Sequence, residues 1–257
     1  MKSFKYLDNL IHSRKNNIKL DFDIVLGEFE ENEYPDGIKL DFENAIIDGN
    51  GHAIDACGKT RIFCAYGENI TLKNITLKNG HATEGGAILN RGNLTIKESA
   101  LIKNTAEDGG AIYNGRGHDL TIIGSTLDEN MAKAHGGAIS NNHSRLTIKE
   151  STICKNEAKY GGAIFHSFNY SLTQVRRGLN EIALRRSPEL HKRAERNAQW
   201  TEKRLMEKEL KNCKLIIEES IIKDNTAGYG GAIWKNNEKT LELKGCNFIN
   251  NTPDDVY

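Results

Sequence analysis

Few side chains in this chain are spaced so that they could act in pairs. Glu150 and Glu219 hold the same place in two copies of a repeated segment, 146–151 and 215–220. On a coiled backbone they would stand on neighbouring turns, about 5 Å apart, a separation at which two carboxyl groups can hydrolyse a glycosidic bond. Glu98 belongs to the same column, with Lys97, Lys149 and Lys244 beside it, but Gly124 and Gly245 interrupt it. A solvated turn face accounts for such alternating charge without chemistry. Asp48 and Asp55 flank a Gly-rich turn, where their carboxylates suit the capping of local backbone N–H groups. His52, His81, His135 and His166 fall at different phases of the repeat, so no His cluster forms. Cys57, Cys64, Cys154, Cys213 and Cys246 show neither CxxC pairing nor a His at zinc-ligand spacing, and read as structural thiols; the alternative is a Cys57–Cys64 disulfide. No catalytic residue, metal site or cofactor is expected.

Binding has a stronger signal. The tetrapeptide GGAI begins at Gly85, Gly109, Gly136, Gly161 and Gly230, in steps of 24, 27, 25 and 69. The residue after it is Leu89, Tyr113, Ser140, Phe165 or Trp234. If the Ile points inward, this neighbour points outward, and stacked turns would build a face of apolar and aromatic side chains. Sugars stack on such rings, and protein partners use them as anchors. Tyr113, Phe165 and Trp234 are the candidate ligand-binding residues, for a glycan or a protein ligand. The competing expectation is that the insertion or a loop folds over them.

These residues must be positioned by the repeat. A second column runs Ile46, Ile70, Leu94, Leu120, Leu146, Leu215, Leu241, and a third Ile54, Leu77, Leu101, Leu127, Ile153, Ile222, Phe248; Ile38 and Ile62 extend the GGAI column toward the N-terminus. Three short strands per period of about 25, each too small to be stable alone, must stack to bury a core. The fold class expected is all-β: a right-handed parallel β-helix of about seven rungs, three strands per rung, its hand following the general crossover rule. Asn79, Asn104, Asn130, Asn156, Asn225 and Asn251 recur at near-constant phase, with a one-residue slip at the first. Buried Asn is costly unless paired, and an in-register stack pairs it, so an asparagine ladder is expected. Ser99, Ser125, Ser151 and Ser220 form a small-residue stack continued by Cys246. The Gly-Gly pairs permit positive φ at the turn into the GGAI strand.

Two segments break the pattern. Residues 2–12 place Phe4, Leu7, Leu10 and Ile11 at helical spacing, and a cap helix within 1–14 is expected to cover the first rung. The step of 69 hides about 43 extra residues, and the segment 168–212 reads as an inserted helical hairpin with 11 Lys/Arg against 6 Asp/Glu. Its arginines could meet phosphate or an acidic partner, although a solvated helix face is the ordinary explanation. The C-terminal rung shows no comparable cap, so the expectation is either that the chain is a fragment of a longer protein or that self-association or another partner covers that end. The whole, 1–257, reads as one domain.

Thirty-five basic and 35 acidic residues leave no net charge, so no overall field draws the chain to nucleic acid, and nucleic acid is not an expected partner. No stretch approaches the roughly 20 apolar residues that span a bilayer, and nothing reads as an export signal or anchor.

The pattern GGAIxN…LTIxxSxLxxN, as in 85–104, resembles the GGAI and FxxN repeats of chlamydial polymorphic membrane proteins, and more closely the adhesin-like proteins of methanogenic archaea within the pectin-lyase-like β-helix superfamily. Phe248-Ile249-Asn250-Asn251 matches FxxN literally; other copies replace Phe by Leu or Ile. The likeness covers roughly 36–165 and 213–252. It implies a cell-surface or extracellular adhesion protein whose coil is a non-catalytic rod. The superfamily also contains polysaccharide lyases and glycoside hydrolases, which makes polysaccharide cleavage the alternative. A lyase of this kind would need outward carboxylates holding calcium beside a basic residue.

Overall fold

A computed structural model describes residues 2–14, 16–168 and 203–257. The chain winds into a parallel β-solenoid of about eight turns. Sheet 1 has eight strands, from Asn17–Lys19 to Leu241–Lys244, and sheet 2 has eight, from Ile24–Val25 to Asn247–Ile249. Sheet 4, the GGAI sheet, has seven, from Ile38–Leu40 to Ile233–Lys235. All pairings are parallel and like pairs with like: Leu94 with Leu120, Leu120 with Leu146, and Leu146 with Leu215 across the insertion. Inward side chains of every turn join one continuous apolar core.

Three expectations need correction. The coil has about eight turns rather than seven, because Asn17–Lys19 and Ile24–Val25 form a first turn with no GGAI or Asn to mark it. Three strands per rung is too few for five of the turns. There the residues before the Gly-Gly pair form a further sheet 3, comprising His81–Glu84, Thr105–Asp108, Met131–His135, Glu157–Tyr160 and Thr226–Tyr229. Two early phases also slip by one. Ile46 pairs with Thr71 and is exposed while Ile47 is buried, and Ile38 pairs with Phe63 rather than Ile62. Where two large aliphatic or aromatic residues adjoin, alternation alone leaves the inward one undetermined.

The ladder forms from Asn104 to Asn251. Each Nδ2 of Asn104, Asn130, Asn156 and Asn225 donates to the next Asn Oδ1 at 2.9–3.0 Å, and that oxygen also accepts the backbone N–H of the donor's residue. Asn79 lies outside it: at φ 53° its amide turns to Asp55, and Gly80 N–H donates to Asn104 Oδ1 instead. The serine stack follows the same logic, with Ser99 N–H donating to Ser125 Oγ, Ser125 to Ser151 and Ser151 to Ser220. Cys246 continues it, its thiol donating to Ile217 O. All five cysteines are free; burial pushes the Cys154 thiol up to about 11 and Cys213 to about 12.

The cap is the helix Phe4–Arg14, which buries Phe4, Leu7 and Ile11 fully and touches the first strands of sheets 1, 2 and 4. Its first turn supplies no acid, so the orphan N–H groups of Phe4 and Lys5 are met by Glu30, at 3.0 and 3.1 Å. Of the insertion, 203–212 is helical; the remainder of the hairpin expected over 168–212 lies outside the described residues.

Candidate binding corner

Between sheets 3 and 4 the chain turns through the Gly-Gly pair. Gly161 sits at φ 65°, the left-handed region that a Cβ disfavours. At Gly162 a Cβ would collide with the carbonyl of Gly231 on the next rung. The tight turn brings the last residue of each sheet 3 strand beside the outward residue of sheet 4.

On sheet 4 the outward column is Cys64, Leu89, Tyr113, Ser140, Phe165, Trp234 in register. Leu89 and Ser140 are buried, so the exposed stack expected from the sequence is interrupted. Tyr113, Phe165 and Trp234 are half-buried. Asn142 Nδ2 donates to the Tyr113 hydroxyl at 2.9 Å, and burial is the main cause that raises the phenol above its ordinary pKa. Phe165 and Trp234 stack on each other, centroids 4.5 Å apart and planes at 8°.

The opposing wall was missed by sequence reasoning. It is the column Glu84, Asp108, His135, Tyr160, Tyr229, again in register. His135 stacks on Tyr160 at 5.4 Å, and Tyr160 on Tyr229 at 5.3 Å. The walls touch through His135 with Phe165 at 4.3 Å and Tyr160 edge-on to Trp234 at 6.2 Å. The signal was present in the sequence: each of these residues immediately precedes a Gly-Gly pair.

Stacking along the coil axis takes up ring faces within each column. Tyr229 also meets Tyr257 at 5.7 Å, and of the rings in the two columns Tyr229 is the most exposed, Tyr160, Phe165 and Trp234 being half-buried. Toward the N-terminal end the aromatic walls give way to charge around an open cavity of about 340 Å³ lined by Asp36, Arg61, Tyr66, Glu84 and Arg91. Arg61 is buried there and donates to the carbonyls of Asp36, Glu84 and Gly85. Arg91 pairs with Glu84 at 3.6 Å, and His135 Nδ1 lies 2.6 Å from Asp108 Oδ1.

The other candidates are placed as follows. Glu98, Gly124, Glu150, Glu219 and Gly245 all adopt positive φ, 49–61°, at the bend from sheet 1 to sheet 2. The glutamates are exposed members of a left-handed turn column, which explains why glycine alternates with them. Asp48 caps Asn50 N–H at 2.8 Å and Asp55 caps Cys57 N–H at 2.9 Å. Both carboxyls lie below their ordinary pKa: burial opposes ionisation, and these hydrogen bonds with Lys73 and Lys78 outweigh it.

A second ladder was also missed. Asn90 Nδ2 donates to Asn114 Oδ1 and Asn114 to Asn141 Oδ1, each at 2.7 Å. Asn141 Nδ2 then meets His166 Nδ1 at 2.7 Å. Each member stands two places after a GGAI isoleucine. Among the described residues no group of three or more His, Cys, Asp or Glu could hold a metal ion, and no helix is long and apolar enough to cross a membrane. Comparison with protein families, with curated proteins and with solved structures finds no match for this chain.

Proposed function

We propose that the chain is a non-catalytic adhesion scaffold, a stiff coil displayed at the cell surface, whose aromatic corner holds an extended glycan along the coil axis. The observation that carries this reading is the pair of facing aromatic columns, Phe165–Trp234 and His135–Tyr160–Tyr229. Their rings repeat at the rise of the coil, and their edges and hydroxyls offer a linear sugar chain both apolar contact and hydrogen bonds. The resemblance of the repeats to adhesin-like proteins points the same way. Replacing Tyr113, Phe165 and Trp234 with Ala, with circular dichroism to confirm the coil, should abolish retention on a glycan array; undiminished binding would exclude this corner.

The second reading is polysaccharide cleavage, and one observation favours it. Glu84 and Asp108 are register partners on adjacent rungs at the polar end of the same corner, so their strands lie about 4.8 Å apart, near the spacing of a retaining glycosidase. Turnover of polysaccharide that is lost in Glu84→Gln and Asp108→Asn, or calcium-dependent activity on uronate polymers, would replace the scaffold reading. Aromatic-dependent binding without turnover supports it.

A further inference from the structure

We infer that the second ladder continues past His166 through one bridging water, held between two buried imidazoles, to Glu209 on the helix 203–212, so that the interior of the coil positions the root of the insertion. His143 and His166 are 5% and 0% exposed, and each keeps one ring nitrogen without a partner, Nδ1 of His143 and Nε2 of His166. Two orphaned nitrogens in a dry interior are costly. Both rings stand at the corner where the insertion leaves the coil. His143 N–H donates to Ser167 O at 2.7 Å, and the Asn141 amide that meets His166 also donates to Ser144 O at 2.8 Å. The rings are near enough for His143 to add to the burial that depresses the His166 pKa.

The direction of the bonds decides what joins them. Asn90 donates to Asn114 and Asn114 to Asn141, so the Asn141 oxygen is taken and its Nδ2 donates to His166 Nδ1. That leaves the His166 proton on Nε2, a donor; a metal ion would need that nitrogen bare. His143 Nε2 lies 2.9 Å from Glu209 Oε2. A carboxylate only accepts, so Nε2 carries the proton and Nδ1 of the neutral ring is an acceptor. A water accepts from the first orphan and donates to the second. The next rung offers no substitute, since the register partner of His166 is Lys235, a donor alone. Every bond then points from the coil toward the Glu209 carboxylate, an arrangement in which each polarises the next. Phe168, itself buried, stacks on His143 at 5.1 Å.

Nitrogen-15 NMR of the full chain at about pH 8, above the ordinary imidazole pKa, tests the directions. Protons on Nε2 of both rings are expected, and a proton on Nδ1 of His166 overturns the inference. A crystal structure should show a single ordered oxygen within about 3 Å of both nitrogens; direct contact between the rings, or a gap without density, overturns it as well. Hydrogen exchange over 203–212 tests the link to the helix. His166→Phe, with circular dichroism to confirm the coil, should speed exchange there about tenfold, and should add nothing in a Glu209→Ala background. Exchange unchanged by His166→Phe, or an equal effect in both backgrounds, would show that the ladder does not reach the helix.

Discussion

At the N-terminal end of the coil, Phe4, Leu7 and Ile11 pack with Ile18, Ile24 and Ile38, and all six are essentially inaccessible. At the C-terminal end the residues in the matching positions, Leu241, Leu243 and Phe248, retain solvent contact. The repeat builds both ends in the same way, since an in-register coil always leaves one apolar cross-section at each end. What differs is the sequence outside the repeat: eleven residues of amphipathic helix on one side, and a short return of chain on the other that closes only two of the four sheets. Capping is thus a property added to a solenoid, separate from the stacking that stabilises its interior.

Removing 2–14 breaks the contrast most severely. With the first rung uncovered, the chain should associate through that end, seen as rising mass in light scattering; an unchanged mass would show that the helix covers nothing adhesive. Next in size, Leu7→Ala empties a fully enclosed site and should cost about 2–5 kcal/mol in urea unfolding. Leu243→Ala, at the wet end, should cost under about 1 kcal/mol, and equal losses would abolish the distinction.

The ladder supplies the same test within the polar core. Asn156→Ala leaves the N–H groups of Asn130 and the carbonyl of Leu127 without their partner in a dry interior, a loss of about 3 kcal/mol. Asn251→Ala removes similar bonds at the last, least covered member of the ladder, 9% exposed against 1% for Asn156, and a smaller loss of about 1–2 kcal/mol is expected.

One effect appears only in acid. His166 ends the second ladder by accepting from Asn141, and burial, with the nearby His143, depresses its pKa to about 4 from the ordinary 6.5. The coil keeps it neutral while the unfolded chain takes up a proton. Its contribution to stability is therefore complete above pH 6.5 and is lost as pH falls through about 4. The groups facing it are Asn141, His143 with Glu209 bonded to it, and Lys235 on the next rung. His166→Asn, which continues the ladder with its own chemistry, should flatten the thermal-melting slope between pH 6.5 and 4; an unaltered slope would assign that acid sensitivity to another group.

The coil was legible because GGAI, the aliphatic columns and Asn recur at one period, and only in-register stacking satisfies all of them together. Legibility failed where a single residue decides the phase. Ile46-Ile47 and Ile62-Phe63 each offer two apolar candidates for one inward position. Asn79 matches the ladder's residue type, but Gly80 occupies its place. Of the candidate site, Tyr113, Phe165 and Trp234 share the column expected from spacing, yet the burial of Leu89 and Ser140 could not be read from it. The facing wall was overlooked because its members, Glu84, Asp108, His135, Tyr160 and Tyr229, share a position while their chemistry changes from carboxylate to aromatic along the coil. Periodicity in residue type reveals the stacked interior, while a functional face varies from rung to rung.

The insertion leaves the winding untouched: Leu146 still pairs with Leu215 and Ile164 with Ile233, although 69 positions separate each pair. Lengthening a loop costs entropy only logarithmically, so the bend after Ser167 is a natural port for grafting. A reporter or an epitope spliced there would ride on the coil at a known height along its axis, without asking the neighbouring rungs to rearrange.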